Sequence, residues 1–403
     1  MGELAAVLVA ARDEERTIRR TVELLHAAFP GVEVIVADDG SRDGTAALAE
    51  GAGARVLRLP ARGKGQALTL GERVAPKGRL LLVDADLEGE VSRLAVTNGD
   101  LAIAVFAERR GGGFGIAKQA GRLLVRALSG FEPREPLSGQ RALSQAAREA
   151  CFPLAAGFGS EVRMTVDAVR AGLEVSEHEL PLRHRTTGRD AAGFAHRGRQ
   201  LFDALLAFGP TAVNHRGLRL PLVGWIVGLR RNPAVAAVAA LGLADDLWSG
   251  EERGFRGHLG RRRTTGVLKL LGIPLVGLLA TRRVSGALLV GLAANFLNQL
   301  DTRPGRALKA YLLAAPLADA PVGAAVILAP YDLREMAMLG DSGANALGAM
   351  LGLSSVSTLT ERGRWVAIGA LAGLTALGET RSLGELIERT PLLRRVDALG
   401  RQT

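Results

Sequence analysis

Cysteine and aromatic residues are both scarce in this chain, and each scarcity argues against particular classes of protein. The chain has one cysteine in 403 residues, Cys151, which excludes an internal disulfide and a multi-cysteine zinc site. Aromatic residues make up only 4% of the sequence, which argues against binding of single-stranded nucleic acid by base stacking. A basic leader is also lacking, because residues 1–10 are mostly apolar. We therefore expect a first β-strand there, not a signal peptide.

Charge and length are more informative than these absences. The formal net charge of +10 favours anionic partners such as nucleotide phosphates or anionic lipid. A chain of 403 residues is too long for one ordinary core, so two domains are expected. The composition changes after about residue 208, which predicts domains at 1–208 and 209–403.

The first domain alternates short apolar runs with helical patterns. This β-α-β rhythm predicts an α/β fold with a mostly parallel, Rossmann-like sheet. The predicted strands cover residues 4–10, 32–37, 55–59, 80–83, 101–106 and 174–180.

The most informative segment is a buried-strand pattern that ends in two carboxylates, Asp84 and Asp86. Alternation along an extended chain places both on the same side of the strand. Open α/β sheets bind ligands at the carboxyl ends of their strands, and two oxygen ligands there suit Mg²⁺ or Mn²⁺ bridging a diphosphate. Taken alone, the pair favours a purely structural interpretation, in which a strand ends and a solvated turn follows; the neighbouring motifs reverse that preference.

Polar residues follow two other predicted strands and precede a helix. Carboxylates at successive strand ends are suited to accept hydrogen bonds from a base and a ribose. A lysine in a glycine-rich turn before a helix suits a diphosphate. The candidate nucleotide-sugar-binding residues in these segments are Ala11, Asp13, Glu15, Asp38, Asp39 and Lys64.

In their order, the motifs A-R-D-E-E, V-A-D-D-G-S-R-D-G-T, G-K-G-Q-A-L and V-D-A-D-L-E resemble the family 2 inverting glycosyltransferases of the GT-A fold. The resemblance covers about residues 1–205 and continues through P-L-S-G-Q-R-A, which contains Arg141, and L-P-L-R-H-R, which contains His184. It implies that Arg141 and His184 are further candidate nucleotide-sugar-binding residues. It implies a nucleotide-sugar donor, with Asp39 in the nucleotide pocket and Lys64 near the phosphates. It further implies that Asp84 and Asp86 handle the metal and the diphosphate.

Inverting transfer needs a general base for the acceptor hydroxyl, unless the acceptor is already an anion. Glu161 matches the position of the family's late acidic residue and is the candidate base, with Asp86 as the second candidate catalytic residue. A glutamate favoured by a helix N-terminus is the structural alternative for Glu161. His184 is interpreted as a metal ligand or phosphate contact, and basic surface is its alternative.

The second domain contains apolar runs rich in Ala, Leu and Gly, several of them separated by arginine clusters. A membrane-spanning helix needs about 20 apolar residues, and basic connectors favour the cytoplasmic side. We therefore expect an all-α transmembrane bundle of about five or six spans. This predicts a multi-pass protein of the inner or plasma membrane with a cytoplasmic first domain. A soluble helical partner domain is the alternative.

Three polar motifs interrupt these runs: the D-D pair, the N-x-x-N-x-x-D helix and G-D-S-G. They resemble the polyprenyl-phosphate sugar-1-phosphate transferases, the superfamily of phospho-N-acetylmuramoyl-pentapeptide transferase. This resemblance implies that Asp245, Asp246, Asp301 and Asp341 surround Mg²⁺ and a lipid phosphate. The family's usual D-G-x-D-G is replaced by Asp301-Thr-Arg-Pro-Gly305, and its late histidine-rich motif is absent from the sequence. Both an active and an inactive phosphotransferase therefore stay open.

The leading hypothesis is a membrane-bound, metal-dependent inverting glycosyltransferase of the hexosyltransferase type, acting in cell-envelope glycan synthesis. It would use a nucleotide-sugar donor and a polyprenyl-phosphate-linked acceptor, with Mg²⁺ or Mn²⁺ as cofactor and without nucleic acid. A second hypothesis is a bifunctional enzyme whose second domain also transfers a sugar-1-phosphate to polyprenyl phosphate. A third is a non-catalytic scaffold in envelope assembly.

Overall fold

The computed structural model describes most of the chain, in two compact units. The described residues are 3–89, 92–95, 99–106, 115–155, 159–183, 206–228, 232–248, 265–380 and 382–401. The first unit comprises Met1–Gly209 and Gly217–Arg219. The second unit comprises Pro210–Arg216 and Leu220–Thr403.

The first unit is built on a seven-stranded sheet of order β3-β2-β1-β4-β7-β6-β8. Strand β7 is antiparallel to β4 and β6, and the other neighbours are parallel. Strands β5 and β9 form a separate antiparallel pair. The predicted α/β fold with a mostly parallel sheet is confirmed. The strands are β1 Leu4–Ala11, β2 Glu33–Asp39, β3 Arg55–Leu59, β4 Arg79–Asp84, β5 Glu88–Gly89, β6 Leu101–Phe106, β7 Arg141–Leu143, β8 Val175–Leu180 and β9 Leu182–Arg183.

Apolar layers cover both faces of this sheet. Val7 and Val9 belong to one core cluster, whereas Ala6 and Leu8 belong to the other, because successive side chains of a strand point to opposite faces. The helices of the unit are α1 Ile18–Ala28, α2 Thr45–Gly51, α3 Lys64–Glu72, α4 Ser92–Ala95, α5 Gly115–Ser129, α6 Gln145–Cys151 and α7 Ser160–Arg170.

The strand order determines where a ligand site forms. Within the strand order, β2 and β3 lie on one side of β1, whereas β4 lies on the other side of β1. A crevice opens at the carboxyl ends of the strands at such a reversal. Ala11 lies opposite Asp38, and Ala10 lies opposite Asp84. The ends of β1, β2 and β4 therefore meet at one edge.

The second unit is mainly helical, with one pair of short strands, β10 and β11. Its strands are β10 Thr211–Val213 and β11 Arg219–Pro221, of which Arg219 belongs to the first unit. Its helices are α8 Trp225–Gly228, α9 Pro233–Trp248, α10 Thr265–Thr281, α11 Val284–Leu300, α12 Arg306–Ala314, α13 Gly323–Leu333, α14 Gly340–Thr358, α15 Glu361–Thr380, α16 Leu383–Arg389 and α17 Pro391–Ala398.

Glycines allow close packing of α11 against α14. A Cβ built on Gly348 would lie 2.4 Å from Ala294 Cα, and one on Gly352 would lie 2.7 Å from Val290 Cα. Such backbone approach requires residues without a side chain. The contacts move back along α11 as they move forward along α14, so the two helices run antiparallel.

The predicted transmembrane bundle is wrong. Within the described part of the chain, no helix combines the length and the apolar character that crossing a bilayer requires. Helices α10 and α11 have 17 residues each, shorter than the roughly 20 apolar residues of a typical span. The 20-residue helix α15 carries Glu361, Arg362, Arg364 and Glu379. The predicted multi-pass location in the inner membrane is overturned by the same finding.

Gly65 in α3 provides a test of packing in the first unit. A Cβ at this position would lie 1.9 Å from the Ala155 carbonyl oxygen, so backbone would have to move. We expect Gly65→Ala to lower the free energy of unfolding by about 1–3 kcal/mol or more. The measurement is urea unfolding followed by circular dichroism.

Gly51 in α2 is the matched control, because a Cβ there would meet only the Arg19 side chain at 3.8 Å. We expect Gly51→Ala to raise stability by about 0.5–1 kcal/mol through the lower entropy of the unfolded chain. Equal effects of the two substitutions would contradict the packing of Gly65 against Ala155.

Candidate active site

The loops after β1 and β2 are joined by reciprocal hydrogen bonds. The Asp13 amide donates to Ser41 Oγ at 3.0 Å, and the Arg42 amide donates back to Asp13 Oδ1 at 2.8 Å. Glu15 accepts a bond from the Gly44 amide at 3.2 Å. Asp13 and Glu15 thus hold the rim of the crevice together, and their role in nucleotide binding stays a prediction.

Asp38 and Asp39 end β2 and are both 4% exposed. Asp38 accepts hydrogen bonds from the amide and the hydroxyl of Ser41. Asp39 Oδ1 accepts from the Arg62 amide at 2.6 Å, and its Oδ2 accepts from the Gly63 amide at 2.9 Å. Burial raises the pKa of Asp39, although those amides oppose the shift. Asp39 therefore anchors the turn that leads into α3.

Lys64, the first residue of α3, connects two carboxylates from different elements. Its Nζ lies 2.6 Å from Asp84 Oδ1 at the end of β4 and 2.7 Å from Glu161 Oε1 in the first turn of α7. Burial by itself would lower the pKa of Lys64, but the charges of Asp84 and Glu161 outweigh it and raise that pKa. The structure thus brings three predicted site residues into direct contact.

The surroundings of Asp84 leave its carboxylate partly accessible. Gln140 Nε2 donates to Asp84 Oδ2 at 3.1 Å, and the Asp84 side chain is 28% exposed. A Cβ on Gly139 would lie 2.3 Å from Asp84 Oδ2, so only glycine fits there. Asp86 lies in the turn after β4 and is half-buried. Sequence reasoning missed Gln140 and Gly139 as neighbours of Asp84, although both stand in the P-L-S-G-Q-R-A motif.

The other predicted site residues of this unit have different surroundings. Ala11 is buried at the end of β1. Arg141 is fully buried in β7 and donates to protein oxygens. His184 lies outside the described residues, although the preceding Arg183 pairs with Glu88, two residues after Asp86.

The metal prediction can be tested against the donor set. In the described ranges, no group of three or more His, Cys, Asp or Glu residues is arranged to hold a metal ion. Mg²⁺ at a nucleotide, however, is usually held by one or two carboxylates together with phosphate oxygens. Asp84 and Asp86, at the crevice edge and incompletely buried, fit that smaller requirement.

A second charged cluster lies in the helical unit. Lys269 of α10 forms ion pairs with Asp245 of α9, at 2.6 Å, and with Asp341 of α14. Burial raises the pKa of Asp341, a hydrogen bond with Asp245 adds to the rise, and Lys269 opposes it. Lys269 was not among the predicted site residues, although it ends the segment T-T-G-V-L-K, which also resembles the polyprenyl-phosphate sugar-1-phosphate transferases.

Asp246 has a separate structural task at the start of α14. Its Oδ1 accepts from the Asp341 amide and its Oδ2 from the Ser342 amide, both at 2.9 Å. These amides are among those left unsatisfied at a helix N-terminus, so Asp246 caps the helix. Gly340 has a positive φ of 63°, and a Cβ there would lie 2.9 Å from Asp246 Oδ2.

Asp301 joins the same region from the end of α11. Burial raises the pKa of Asp301 well above its usual value, and the charges of Asp332 and Asp341 add to this shift. Asp332 is 2% exposed and accepts a hydrogen bond from the Gly305 amide at 2.8 Å. The structure thus gathers Asp245, Asp246, Asp301 and Asp341 at neighbouring helix ends. Their predicted role in metal binding stays a prediction.

The first unit, with carboxylates at the carboxyl ends of parallel strands beside a switch point, has the features of a GT-A nucleotide-sugar transferase. The model of glycosyl transferase family 2 matches residues 6–96. The glucosyl-3-phosphoglycerate synthase of Mycolicibacterium paratuberculosis (strain ATCC BAA-968 / K-10) is 32% identical over 244 residues, covering 51% of this chain and 72% of the relative. The chain belongs to glycosyl transferase family 2 and is a glycosyltransferase.

Solved structures of glucosyl-3-phosphoglycerate synthase from Mycobacterium tuberculosis are also similar. The complex with Mn²⁺, UDP and glucosyl-3-phosphoglycerate is 27% identical, covers 51% of this chain and 79% of that chain, and has a TM-score of 0.43. The complex with Mg²⁺ and UDP is 25% identical, covers 51% and 78%, and has a TM-score of 0.44.

These comparisons confirm the predicted glycosyltransferase activity and the nucleotide-sugar donor class. The mycobacterial complexes contain Mn²⁺ or Mg²⁺ together with UDP. For this chain, Mg²⁺ or Mn²⁺ stays the predicted cofactor. The matches give no support to the resemblance of the second domain to polyprenyl-phosphate sugar-1-phosphate transferases.

Substitutions at Asp39 test whether this residue anchors the turn before α3, independently of any role in the nucleotide pocket. Asp39→Ala leaves the buried Arg62 amide and the half-buried Gly63 amide without their acceptor, and we expect the free energy of unfolding in urea to fall by about 1–3 kcal/mol. Asp39→Asn keeps one acceptor oxygen and removes a buried charge, so the expected loss at pH 7 is smaller.

The effect of pH on the Asp39 variants supplies the control. Since the pKa of Asp39 is raised on folding, its protonation stabilises the folded state as the pH falls through that pKa. Wild type should therefore gain stability relative to Asp39→Asn as the pH falls from 7 toward the ordinary carboxyl pKa of about 4. Equal stability of the alanine and asparagine variants at pH 7 would refute the anchoring role.

Proposed function

We propose that the first unit transfers a sugar, with inversion, from a nucleoside-diphosphate sugar to a phosphorylated acceptor. The observation that supports this most strongly is the contact of Lys64 with both Asp84 and Glu161 at the carboxyl edge of β4. A cation, a partly exposed carboxylate and a buried carboxylate on a helix are the groups that such a transfer needs. They lie together at the switch point of the sheet.

Each group has a distinct task in this proposal. Asp84 and Asp86 would hold Mg²⁺ or Mn²⁺, which when bound supplies positive charge to the departing diphosphate. Lys64 lies where it can exchange its carboxylate partners for phosphate oxygens. Glu161 would accept the proton of an acceptor that reacts through a hydroxyl, whereas an acceptor that reacts through a phosphate oxygen needs no base. Its Oε2 accepts a hydrogen bond from Ser160 Oγ at 2.8 Å, which orients the carboxylate.

Two sources support a phosphorylated acceptor. The relative from Mycolicibacterium paratuberculosis is named for a product made on 3-phosphoglycerate. The sequence motifs of the second domain resemble enzymes that bind polyprenyl phosphate. Both acceptors present a phosphate, and the net charge of +10 favours such anions.

The test is a screen of donors and acceptors in which the release of nucleoside diphosphate is measured. UDP-, GDP- and ADP-sugars are each combined with 3-phosphoglycerate or with polyprenyl phosphate, with and without EDTA. Product with only one acceptor identifies the source of the phosphate. If no donor yields product with either acceptor, the proposed function fails.

Removal of the Asp84 charge provides the site-specific prediction. Asp84→Asn weakens the hold on the metal and on Lys64, and we expect kcat/KM to fall about 100-fold or more. The surface residue Glu50, whose side chain is 47% exposed and pairs with Arg58, gives the matched control. Glu50→Gln should retain full activity. An active Asp84→Asn protein would rule out the assigned site.

A second candidate function belongs to the helical unit. We propose that its aspartates bind a phosphate-bearing lipid substrate and transfer a sugar-1-phosphate to it. The supporting observation is that the Lys269 ammonium lies between the carboxylates of Asp245 and Asp341, which come from different helices. Such a lysine can pair with a phosphate when the carboxylates pair with a divalent ion.

The released nucleotide distinguishes the two functions. Sugar-1-phosphate transfer from a UDP-sugar releases UMP, whereas glycosyl transfer releases UDP. With polyprenyl phosphate as substrate, we expect UMP from the wild-type chain, a loss of UMP in Asp245→Asn, and unchanged UDP in that variant. Release of UDP alone under all conditions would contradict the proposal that the second unit transfers a sugar-1-phosphate.

A further inference from the structure

Arg141 lies in the middle of the first unit, where a charged side chain is unexpected. It is 0% exposed, and its backbone pairs with Leu82 of β4 and Ile103 of β6. Among the residues that the structure describes, no carboxylate comes within ion-pair distance of its guanidinium. Burial lowers the pKa of Arg141 to about 10. A buried cation without an ion pair costs stability, so its presence calls for a specific reason.

One side of the guanidinium shapes the loop behind Asp84. Arg141 Nε donates to the Ser138 carbonyl at 2.7 Å, and Nη2 donates to the Pro136 carbonyl at 3.1 Å. The same loop carries Gly139 and Gln140, which contact Asp84 Oδ2. Arg141 thereby fixes the backbone from which the two neighbours of Asp84 project.

The other side of the guanidinium reaches the helix that carries Glu161. Arg141 Nη1 donates to Thr165 Oγ1 at 2.9 Å, and that hydroxyl donates to the Glu161 carbonyl at 3.1 Å. Glu161 lies one turn before Thr165 in α7, and its carboxylate contacts Lys64. Only a planar fork with several donors can serve both sides at once, which is the property that distinguishes arginine from lysine.

We propose that Arg141 is a positioning residue that sets the separation between Asp84 and Glu161, the two carboxylates that Lys64 connects. It acts through the Pro136–Gln140 loop on one side and through Thr165 on the other. In this proposal Arg141, whose side chain is fully buried, acts on the site from the interior of the unit and not by direct contact with the donor. The expected effect of Arg141 on kcat rests on the proposed function, whereas its expected effect on the contacts of Lys64 with Asp84 and Glu161 does not.

Thr165 offers the cleanest test, because substituting it leaves Arg141 and the loop in place. Thr165→Val removes the acceptor for Nη1 at nearly constant volume, and Thr165→Ser retains the hydroxyl. We expect Thr165→Val to lower kcat about 10- to 100-fold with the donor KM changed less than about threefold, since a small misplacement of reacting groups slows chemistry more than it weakens binding. Thr165→Ser should stay within about threefold of wild type.

Arg141→Lys extends the test to the guanidinium itself. The lysine keeps the charge but loses the fork, so we expect the same loss of kcat as in Thr165→Val. A wild-type kcat in Thr165→Val, or a loss that appears only in the donor KM, would overturn the proposal.

A second measurement does not depend on activity. Urea midpoints are compared for wild type, Lys64→Met, Thr165→Val and the double variant. If Arg141 sets the gap that Lys64 spans, Lys64→Met shifts the midpoint less in the Thr165→Val background than in wild type. Additive shifts overturn the proposal, even if no donor is turned over. An inactive wild type with non-additive shifts would instead reject only the proposed function.

Discussion

One ammonium group placed between two carboxylates is the constraint on which the first unit's site depends. Asp84 ends β4 and Glu161 begins α7, and both lie within 2.7 Å of Lys64 Nζ. Two carboxylates at such a distance would repel each other without a cation, and one would take up a proton. The neighbouring interactions keep this cation in place: Asp39 anchors the turn before α3, and Gln140 holds Asp84 from the opposite side.

The helical unit contains the same kind of interaction, built from different elements. Lys269 pairs with Asp245 of α9 and Asp341 of α14, while Asp246 caps the start of α14. In both units a lysine ammonium pairs with carboxylates from different elements. Under the functions proposed above, an anionic ligand that attracted the lysine would free these carboxylates for a divalent ion, so phosphate binding and metal binding would be linked.

Much of the first unit could be predicted from its residues, because the evidence is local. Apolar runs predicted six strands of the main sheet, and the carboxylates that follow them predicted that Asp39 and Asp84 lie at the same edge of that sheet. Strand β7 was missed because three residues carry no periodicity, and with it the burial of Arg141. The transmembrane interpretation failed because the composition of an apolar run does not reveal where its helix ends, and α10 and α11 have only 17 residues each. Glycine contacts such as Gly348 against Ala294 occur in the interior of the helical unit.

The sequence by itself determined the α/β alternation, the glycosyltransferase class and the identity of the charged side chains. These depend on the order of residues along the chain and on the chemistry of each residue. Only the tertiary structure decided the partners of those charges. Lys64 meets Glu161 across 97 positions of sequence, and Arg141 connects the loop behind Asp84 to Thr165 of α7. Such pairings follow from the folding of β4, β7 and α7 onto one another, because the strength of an ion pair depends on distance and burial and not on separation along the chain.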